Sequence, residues 1–208
     1  MHSTRTIKTD GHWLGAWIAP GAVALAAMIS GCAAVVVGGA AVGAAAVHDR
    51  RDYGVMLNDQ EIEVRAGAAL GRDKTLGEGS RIGVTSYNQK VLLTGQAETE
   101  AAATRAAELV SRLPKVERVI DEVTIGPPIS MTQISEDVYL TSRAKFALTE
   151  IKLPGFDPTR VKVVTENGVV YLMGLVSQDE ADAAAEQVRY VPGVQRVVKL
   201  FEYRETQA

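Results

Sequence analysis

The chain has 208 residues, enough for one or two small domains, and its formal net charge of −3 lacks the basic excess of nucleic-acid-binding proteins. Its single cysteine excludes an internal disulfide and a CxxC metal site. The three histidines, His2, His12 and His48, all precede the part that we expect to be globular. This placement excludes a Ser-His-Asp triad, a Cys-His pair and a His-ligated metal in that part.

The first 31 residues have the order of a secretory signal peptide. A polar start is followed by the uncharged apolar run "WLGAWIAPGAVALAAMIS", which Ser30 and Gly31 close. The sequence Ile-Ser-Gly-Cys that ends at Cys32 resembles the bacterial lipobox. This resemblance implies that residues 1–31 are cleaved off and that Cys32 is acylated, which with several acyl chains gives stable membrane anchoring. Ala33 stands where the inner-membrane retention signal has Asp, so the resemblance implies a lipid anchor in the outer membrane, facing the periplasm.

The alternative for this region is a transmembrane helix. Residues 13–29 form an apolar stretch at the low end of the roughly 17–25 residues that span a bilayer. We expect residues 32–57 to form the lipidated N-terminus and a Gly/Ala-rich tether. Within it, Gly39 and Gly43 have the spacing of closely packed helices, whereas the glycine content favours a flexible segment.

The remaining chain contains one unit twice. The segment "RIGVTSYNQKVLLTGQA" (Arg81–Ala97) matches "RVKVVTENGVVYLMGLV" (Arg160–Val176) at an offset of 79, and the flanking segments match at an offset of 78. Two copies of this length indicate two domains rather than a solenoid. The expected order is a first domain over 58–126, a linker over 127–134, a second domain over 135–203 and a tail over 204–208.

Each unit predicts the order helix, strand, strand, helix, strand. The first helix is expected to begin near Asn58-Asp59 in one unit and near Ser135-Glu136-Asp137 in the other, because Asn and Ser cap helices. The apolar positions that step by four along these two helices are Ile62, Ala66 and Leu70, and Leu140, Ala144 and Leu148. The later elements are expected at 81–87, 90–96, 98–113 and 116–125, and at 160–166, 169–175, 177–190 and 194–203. The predicted fold class is α+β, with two tandem domains that each pack a small mixed three-stranded sheet against two helices.

Two features of the strands are specific. Asn167-Gly168 is a favoured hairpin turn, since both residues tolerate a positive φ. Gly95 and Gly174 lie inside strands, which indicates a bulge or a close approach of backbone.

The second unit carries the pattern of a known family. The residues of this pattern are Val161, Val163, Gly168, Val170, Leu172, Gly174, Val176, Val191, Gly193, Val194 and Val197. They resemble the BON domain, and two such units behind a lipobox resemble the dual-BON outer-membrane lipoproteins of Gram-negative bacteria. The first unit departs from the pattern with Asn88-Gln89 at the turn and Gly83 in the strand.

The resemblance implies a lipid-binding envelope protein rather than an enzyme. It implies that the second domain binds anionic phospholipid, phosphatidylglycerol or cardiolipin, and that the protein supports outer-membrane integrity. It implies no cofactor, no metal and no nucleic-acid partner. The carboxylates of the predicted helices follow no pattern that points them into a pocket, so we expect no catalytic residue.

The residues themselves suggest where lipid would bind. Tyr139, Arg143 and Phe146 form a stripe beside the buried face of the second unit's first helix, with Lys145 nearby. Aromatic rings suit the headgroup region and cations suit phosphate. The expected lipid-binding residues are Tyr139, Leu140, Arg143, Lys145 and Phe146. The same offset in the first unit gives Glu61, Arg65, Ala68 and Arg72, without an aromatic residue.

Two alternatives stay open at this point. Tyr139 and Phe146 could pack against the other domain instead of lipid. The chain could also be a protein-interaction or chaperone-like periplasmic module, such as a regulator of cell-wall enzymes, with an envelope protein that binds at exposed strand edges.

Overall fold

The computed structural model describes residues 49–204. The predicted signal peptide, Cys32 and the tether up to His48 lie outside the described residues. The elements of the first domain are α1 (Tyr53–Arg72), a 3₁₀ turn (Lys74–Leu76), β1 (Arg81–Tyr87), β2 (Lys90–Ala97), α2 (Glu100–Ser111) and β3 (Arg118–Ile125).

The second domain repeats this order. Its elements are α3 (Met131–Thr149), a 3₁₀ turn (Pro158–Arg160), β4 (Lys162–Glu166), β5 (Val169–Val176), α4 (Gln178–Arg189) and β6 (Arg196–Tyr203). In each sheet the first two strands form an antiparallel hairpin and the third lies parallel to the second, in the orders β1-β2-β3 and β4-β5-β6. The predicted α+β class is confirmed, and the predicted strands and second helices agree to within about two residues.

The predicted starts of the two first helices are wrong. Helix α1 begins at Tyr53 and α3 begins at Met131, inside the segments predicted as tether and linker. Ser130 caps α3 in a capping box with Gln133. Asp59 and Asp137 resemble the acids of a first helical turn, but both lie buried inside the helices.

Asp137 binds the turn of the second hairpin. Its two carboxylate oxygens accept the backbone N–H groups of Asn167 (2.7 Å) and Gly168 (2.9 Å). These two residues have φ of 48° and 74°, so they form the predicted turn with positive φ at both positions.

Asp59 binds the first turn in the same way. It accepts the N–H groups of Asn88 (2.8 Å) and Gln89 (2.7 Å), the latter at φ 63° without the help of a glycine. The carboxylate also accepts the Ser86 hydroxyl and Arg51 Nη1, both at 2.7 Å. These additional bonds stabilise a turn whose second residue is strained.

The cores confirm the helix periodicity. All six apolar positions predicted for α1 and α3 are at most 8% exposed. They pack against the inner faces of β2 and β5 and against the second helices. Gly95 and Gly174 allow close backbone approach, since a Cβ on either would collide with the carbonyl oxygen of Arg81 or Arg160.

The two sheets pack against each other through their outer faces. Tyr87 and Leu92 of the first domain form a buried cluster with Tyr171 and Met173 of the second. Along β2, Val91 and Leu93 face their own domain's core while Leu92 faces the other sheet. The helices therefore lie on the outside, and both faces of each sheet are covered.

Polar contacts surround this interface. Arg81 pairs with Glu166 and Lys162 pairs with Glu63, each at 2.8 Å.

Burial, together with the charge of Glu122, raises the pKa of Tyr171 to about 12, so its hydroxyl stays neutral between the sheets.

Residues 49–52 form a clasp that contacts both domains. Arg50 donates to both carboxylate oxygens of Glu180 at 2.5 and 2.9 Å, and to the Leu175 carbonyl at 3.3 Å. Arg51 pairs with Asp59 and stacks on the ring of Tyr87 at 3.8 Å. The segment that enters α1 thus joins the first domain to the second.

The outer edges of β1 and β3 are partly occupied by side chains. The Ser86 N–H donates to Glu63 and the Ser86 carbonyl accepts from Lys162 Nζ. On β3, the Val123 N–H donates to Asp121. An added strand would have to displace these contacts.

Candidate functional site

The three most exposed aromatic side chains of the second domain lie on α3 and at the end of α4. Tyr139 and Phe146 on α3 are 65% and 67% exposed, and Tyr190, which follows α4, is 66% exposed. We call these three residues the aromatic surface. Tyr139 and Phe146 do not pack against the other domain, because the domains meet through their sheets. The alternative reading of these two residues as interdomain packing is therefore wrong.

Two cations of α3 accompany the aromatic surface. Arg143 is half-buried, donates to the Pro192 carbonyl at 3.3 Å and holds its guanidinium 5.7 Å from the centre of the Tyr139 ring. Lys145 is exposed one residue before Phe146. Tyr139, Arg143 and Phe146 share one face of α3, and Lys145 lies about 100° around the helix from Phe146. Aromatic rings beside a cation suit a surface where apolar and anionic groups meet.

Leu140 does not belong to this surface. It is 6% exposed and packs in the core with Ala144 and Leu148. Its position in the four-residue apolar step turns it inward, and the little of it that is exposed lines a hollow beside Tyr139. Lipid contact by Leu140 stays a prediction.

Two hollows border the aromatic surface. One, of about 470 Å³, lies between α3 and the end of α4 and is lined by Arg143, Phe146 and Tyr190. The other, of about 260 Å³, lies beside Tyr139 and the hairpin turn and is lined by Asn167 and Gly168 among others. The turn residues thus line the second hollow while Asp137 holds their backbone. Gly174 is a packing position inside β5.

The first domain has a different exposed face. At the equivalent positions, Glu61 pairs with Arg65 and Lys115, and these contacts lower the pKa of the Glu61 carboxyl, the hydrogen bond from Lys115 most. The large apolar side chains of α1 that are exposed are Tyr53, Leu57 and Val64. Sequence reasoning missed these three because it compared only one offset. It also missed Tyr190, the last residue of the helix predicted over 177–190, because its exposure and its position beside Phe146 appear only in the fold.

The described residues give no sign of other site chemistry. No group of three or more His, Cys, Asp or Glu side chains that could hold a metal occurs among residues 49–204. None of the helices in the described part of the chain is long and apolar enough to cross a membrane.

Comparison with known proteins defines the class first. The family model of the BON domain matches residues 58–127 and again residues 137–205. The αββαβ units described above are thus two BON domains.

Two curated relatives cover most of the chain. The outer membrane lipoprotein DolP of Haemophilus influenzae is 37% identical over 178 residues, which is 84% of this chain and 90% of the relative. The 21 kDa hemolysin of Actinobacillus pleuropneumoniae is 40% identical over 158 residues, 74% of this chain and 79% of the relative. The chain belongs to the family of dual-BON outer-membrane lipoproteins of the DolP type. It is an outer-membrane protein, lipid-anchored and facing the periplasm, and this family indicates a non-enzymatic envelope protein.

A solved structure also aligns with the chain. It is CdsD, a structural protein of the type III secretion system of Chlamydia trachomatis, with 11% identity and a TM-score of 0.30 over 69% of this chain and 94% of that one. A likeness at this score carries no weight for fold or function.

Proposed function

We propose that the protein binds anionic phospholipid, phosphatidylglycerol or cardiolipin, through the exposed face of α3 in its second BON domain, and that this binding supports outer-membrane integrity. The observation that carries the proposal is the exposure of Tyr139 and Phe146 on one helix face beside Arg143, with Lys145 exposed on the adjoining face. An aromatic ring at the headgroup level gains apolar contact, and a guanidinium or ammonium group gains a phosphate partner.

The proposal includes the predicted organisation of the N-terminus. Residues 1–31 are a cleaved signal peptide, Cys32 carries the lipid, and the following residues up to the clasp at Arg50 form the tether. The anchor keeps the second domain near the bilayer, which raises its effective concentration at the lipid surface. The domain bounds predicted as 58–126 and 135–203 extend at their N-terminal ends to the starts of α1 and α3, at Tyr53 and Met131.

The experiment is co-sedimentation of a fragment, Ala33 to Ala208, with vesicles of phosphatidylglycerol or of phosphatidylcholine. Without the anchor, any binding belongs to the protein itself. We expect binding to the phosphatidylglycerol vesicles that weakens with salt, because exposed charges are screened.

Substitutions on α3 test whether the vesicles bind to this helix. Tyr139→Ala or Phe146→Ala should weaken binding about fivefold, since partial burial of a ring contributes on the order of 1 kcal/mol. Lys145→Glu should weaken it about tenfold or more, since each cation near an anionic surface contributes about 1 kcal/mol and the change moves two charges.

The matched controls lie elsewhere on the surface. Tyr203 is 53% exposed at the end of β6, and Lys74 is exposed in the first domain. Tyr203→Ala and Lys74→Glu should bind as the unsubstituted fragment does. Equal losses in controls and test variants, or no binding to either vesicle, would refute lipid recognition by α3.

The alternative of a protein-interaction module has less support. In this alternative, a partner protein would add a strand at an open sheet edge. The edges of β1 and β3 are partly occupied by contacts with Glu63, Lys162 and Asp121, which a partner strand would have to displace. Co-purification of an envelope protein with the fragment in the absence of lipid would favour this alternative.

A further inference from the structure

Helix α4 ends beside the lipid-facing side of α3. The two helices share one core, in which Ala144 and Leu148 of α3 pack with Ala184 and Val188 of α4. This packing places Tyr190, the C-cap residue of α4, across the 470 Å³ groove from Phe146.

Tyr190 and Arg189 repeat the arrangement of Tyr139 and Arg143. The Arg189 guanidinium lies 4.7 Å from the centre of the Tyr190 ring, and that of Arg143 lies 5.7 Å from the centre of the Tyr139 ring. Arg189 also pairs with Glu186 at 3.0 Å. The α3 side of the groove thus presents the exposed Phe146 ring with Arg143, and the α4 side presents the exposed Tyr190 ring with the guanidinium of Arg189 over it.

This pairing has the chemistry of a bilayer interface rather than of a protein core. A core ring would be buried, but Tyr190 is 66% exposed. A tyrosine at the membrane interface keeps its hydroxyl in the headgroup layer while its ring contacts acyl chains. A guanidinium over the ring adds hydrogen-bond donors for phosphate at the same depth.

We propose that Tyr190 and Arg189, at the end of α4, form the second half of the membrane contact. The protein then meets an anionic bilayer with Phe146 and Arg143 on the α3 side of the groove and with the Tyr190–Arg189 pair on the α4 side. The inference rests on the proposed lipid binding by α3 and extends it. A single helix stripe would let the domain rotate about the axis of α3, whereas contacts on two helices fix its orientation on the membrane.

The test uses single tryptophans in the full chain. The sequence has only two tryptophans, Trp13 and Trp17, both in the predicted signal peptide, and both are replaced by Phe. One tryptophan is then introduced as Phe146→Trp, Tyr190→Trp or, as a control on β6, Tyr203→Trp. Each variant is reconstituted into phosphatidylglycerol or phosphatidylcholine vesicles that contain lipids with brominated acyl chains.

We expect the emission of Phe146→Trp and of Tyr190→Trp to shift to shorter wavelength and to be quenched in phosphatidylglycerol vesicles. Tyr203→Trp should show neither effect. Quenching of Phe146→Trp without quenching of Tyr190→Trp would overturn the two-helix contact and leave lipid binding by α3 standing. Quenching of neither would overturn both proposals.

Amide hydrogen exchange on the unsubstituted chain measures the membrane contact without any variant. Amides around residues 186–192 should exchange more slowly on phosphatidylglycerol than on phosphatidylcholine vesicles. Protection confined to α3 would contradict the role of Tyr190 and Arg189.

Discussion

Replacing Arg50 by Ala removes the contacts of this residue of the clasp with the second domain. The substitution deletes both hydrogen bonds to Glu180 and the one to the Leu175 carbonyl. The Glu180 side chain is only 6% exposed, so water replaces the lost partner poorly. The carboxylate still accepts the Ser177 N–H at 2.8 Å and keeps Arg160 at 3.4 Å.

These contacts set the size of the effect. Breaking a buried ion pair by removing one partner costs about 3–5 kcal/mol when the other charge is left alone. Because Glu180 keeps two partners and Arg50 is itself 20% exposed, the cost should fall below that range, at about 2–3 kcal/mol. A loss of this size lowers the Tm of a domain pair this large by roughly 5–10 °C.

The assay is urea unfolding of the fragment Ala33 to Ala208 at neutral pH, with Arg112→Ala as the control. Arg112 is 73% exposed and contacts Glu108 at 3.6 Å across one helical turn, so its removal should change the free energy of unfolding by less than about 0.5 kcal/mol. A loss for Arg50→Ala no larger than for Arg112→Ala would refute the clasp as a stabilising contact.

The pH dependence gives a second check on the same pair. Burial raises the pKa of Glu180, but the hydrogen bonds from Arg50 and the Ser177 N–H, with the charges of Arg50 and Arg160, outweigh it and lower the pKa below its ordinary value of 4.5. A lowered carboxyl pKa contributes stability that is present above the ordinary value and is lost as the pH falls through the folded-state pKa. The difference in unfolding free energy between the unsubstituted fragment and Arg50→Ala should therefore shrink below about pH 4. A difference that stays constant down to pH 3 would contradict the ionic origin.

Three further predictions concern the second hairpin, a strand glycine and the core. Asp137→Ala leaves two turn N–H groups without their acceptor and should cost about 2 kcal/mol in urea unfolding, while exposed Glu136→Ala should cost under about 0.5 kcal/mol. Gly95→Ala adds a Cβ against the Arg81 carbonyl at φ 109° and should cost about 3 kcal/mol or more. Gly67→Ala on α1, where a Cβ meets nothing, should instead stabilise by about 0.5–1 kcal/mol, and equal effects of the two would contradict the close approach. Leu140→Ala should cost about 2–5 kcal/mol yet leave the vesicle affinity of the folded fragment unchanged, and a lower affinity would return Leu140 to the lipid surface.

The repeat made most of the fold predictable. Two copies of one hydrophobic pattern allowed each copy to be checked against the other, so the helix periodicity and the strand order could be read from local signals. Element ends were less predictable, because Asp59 and Asp137 are chemically suited to a cap but bind a distant turn. Their equivalent positions at an offset of 78 were the available sign that both have one structural role.

The candidate site was only partly predictable. Tyr139, Arg143 and Phe146 could be grouped because helical spacing places them on neighbouring faces. Tyr190 could not be added, because its position beside Phe146 depends on how α4 packs against α3. Leu140 follows Tyr139 in the sequence but turns to the core, because successive helix residues point about 100° apart.

The packing of the two sheets explains why the helices carry the proposed function. Strands β2 and β5 bury side chains on both faces, as the near-continuous apolar runs "VLL" and "VVYLM" indicate. Each sheet thus has its own helices on one side and the other domain on the other, and the helices form the outer layers. Any contact that uses the broad faces of the two domains must therefore involve helix surfaces. The two domains differ on these exposed helix surfaces. Helix α1 carries ion pairs such as Glu61–Lys115 at the positions where α3 exposes Tyr139. This difference supports the proposal that the second domain binds phospholipid while the first domain, joined to it through Arg50 and Arg51, does not.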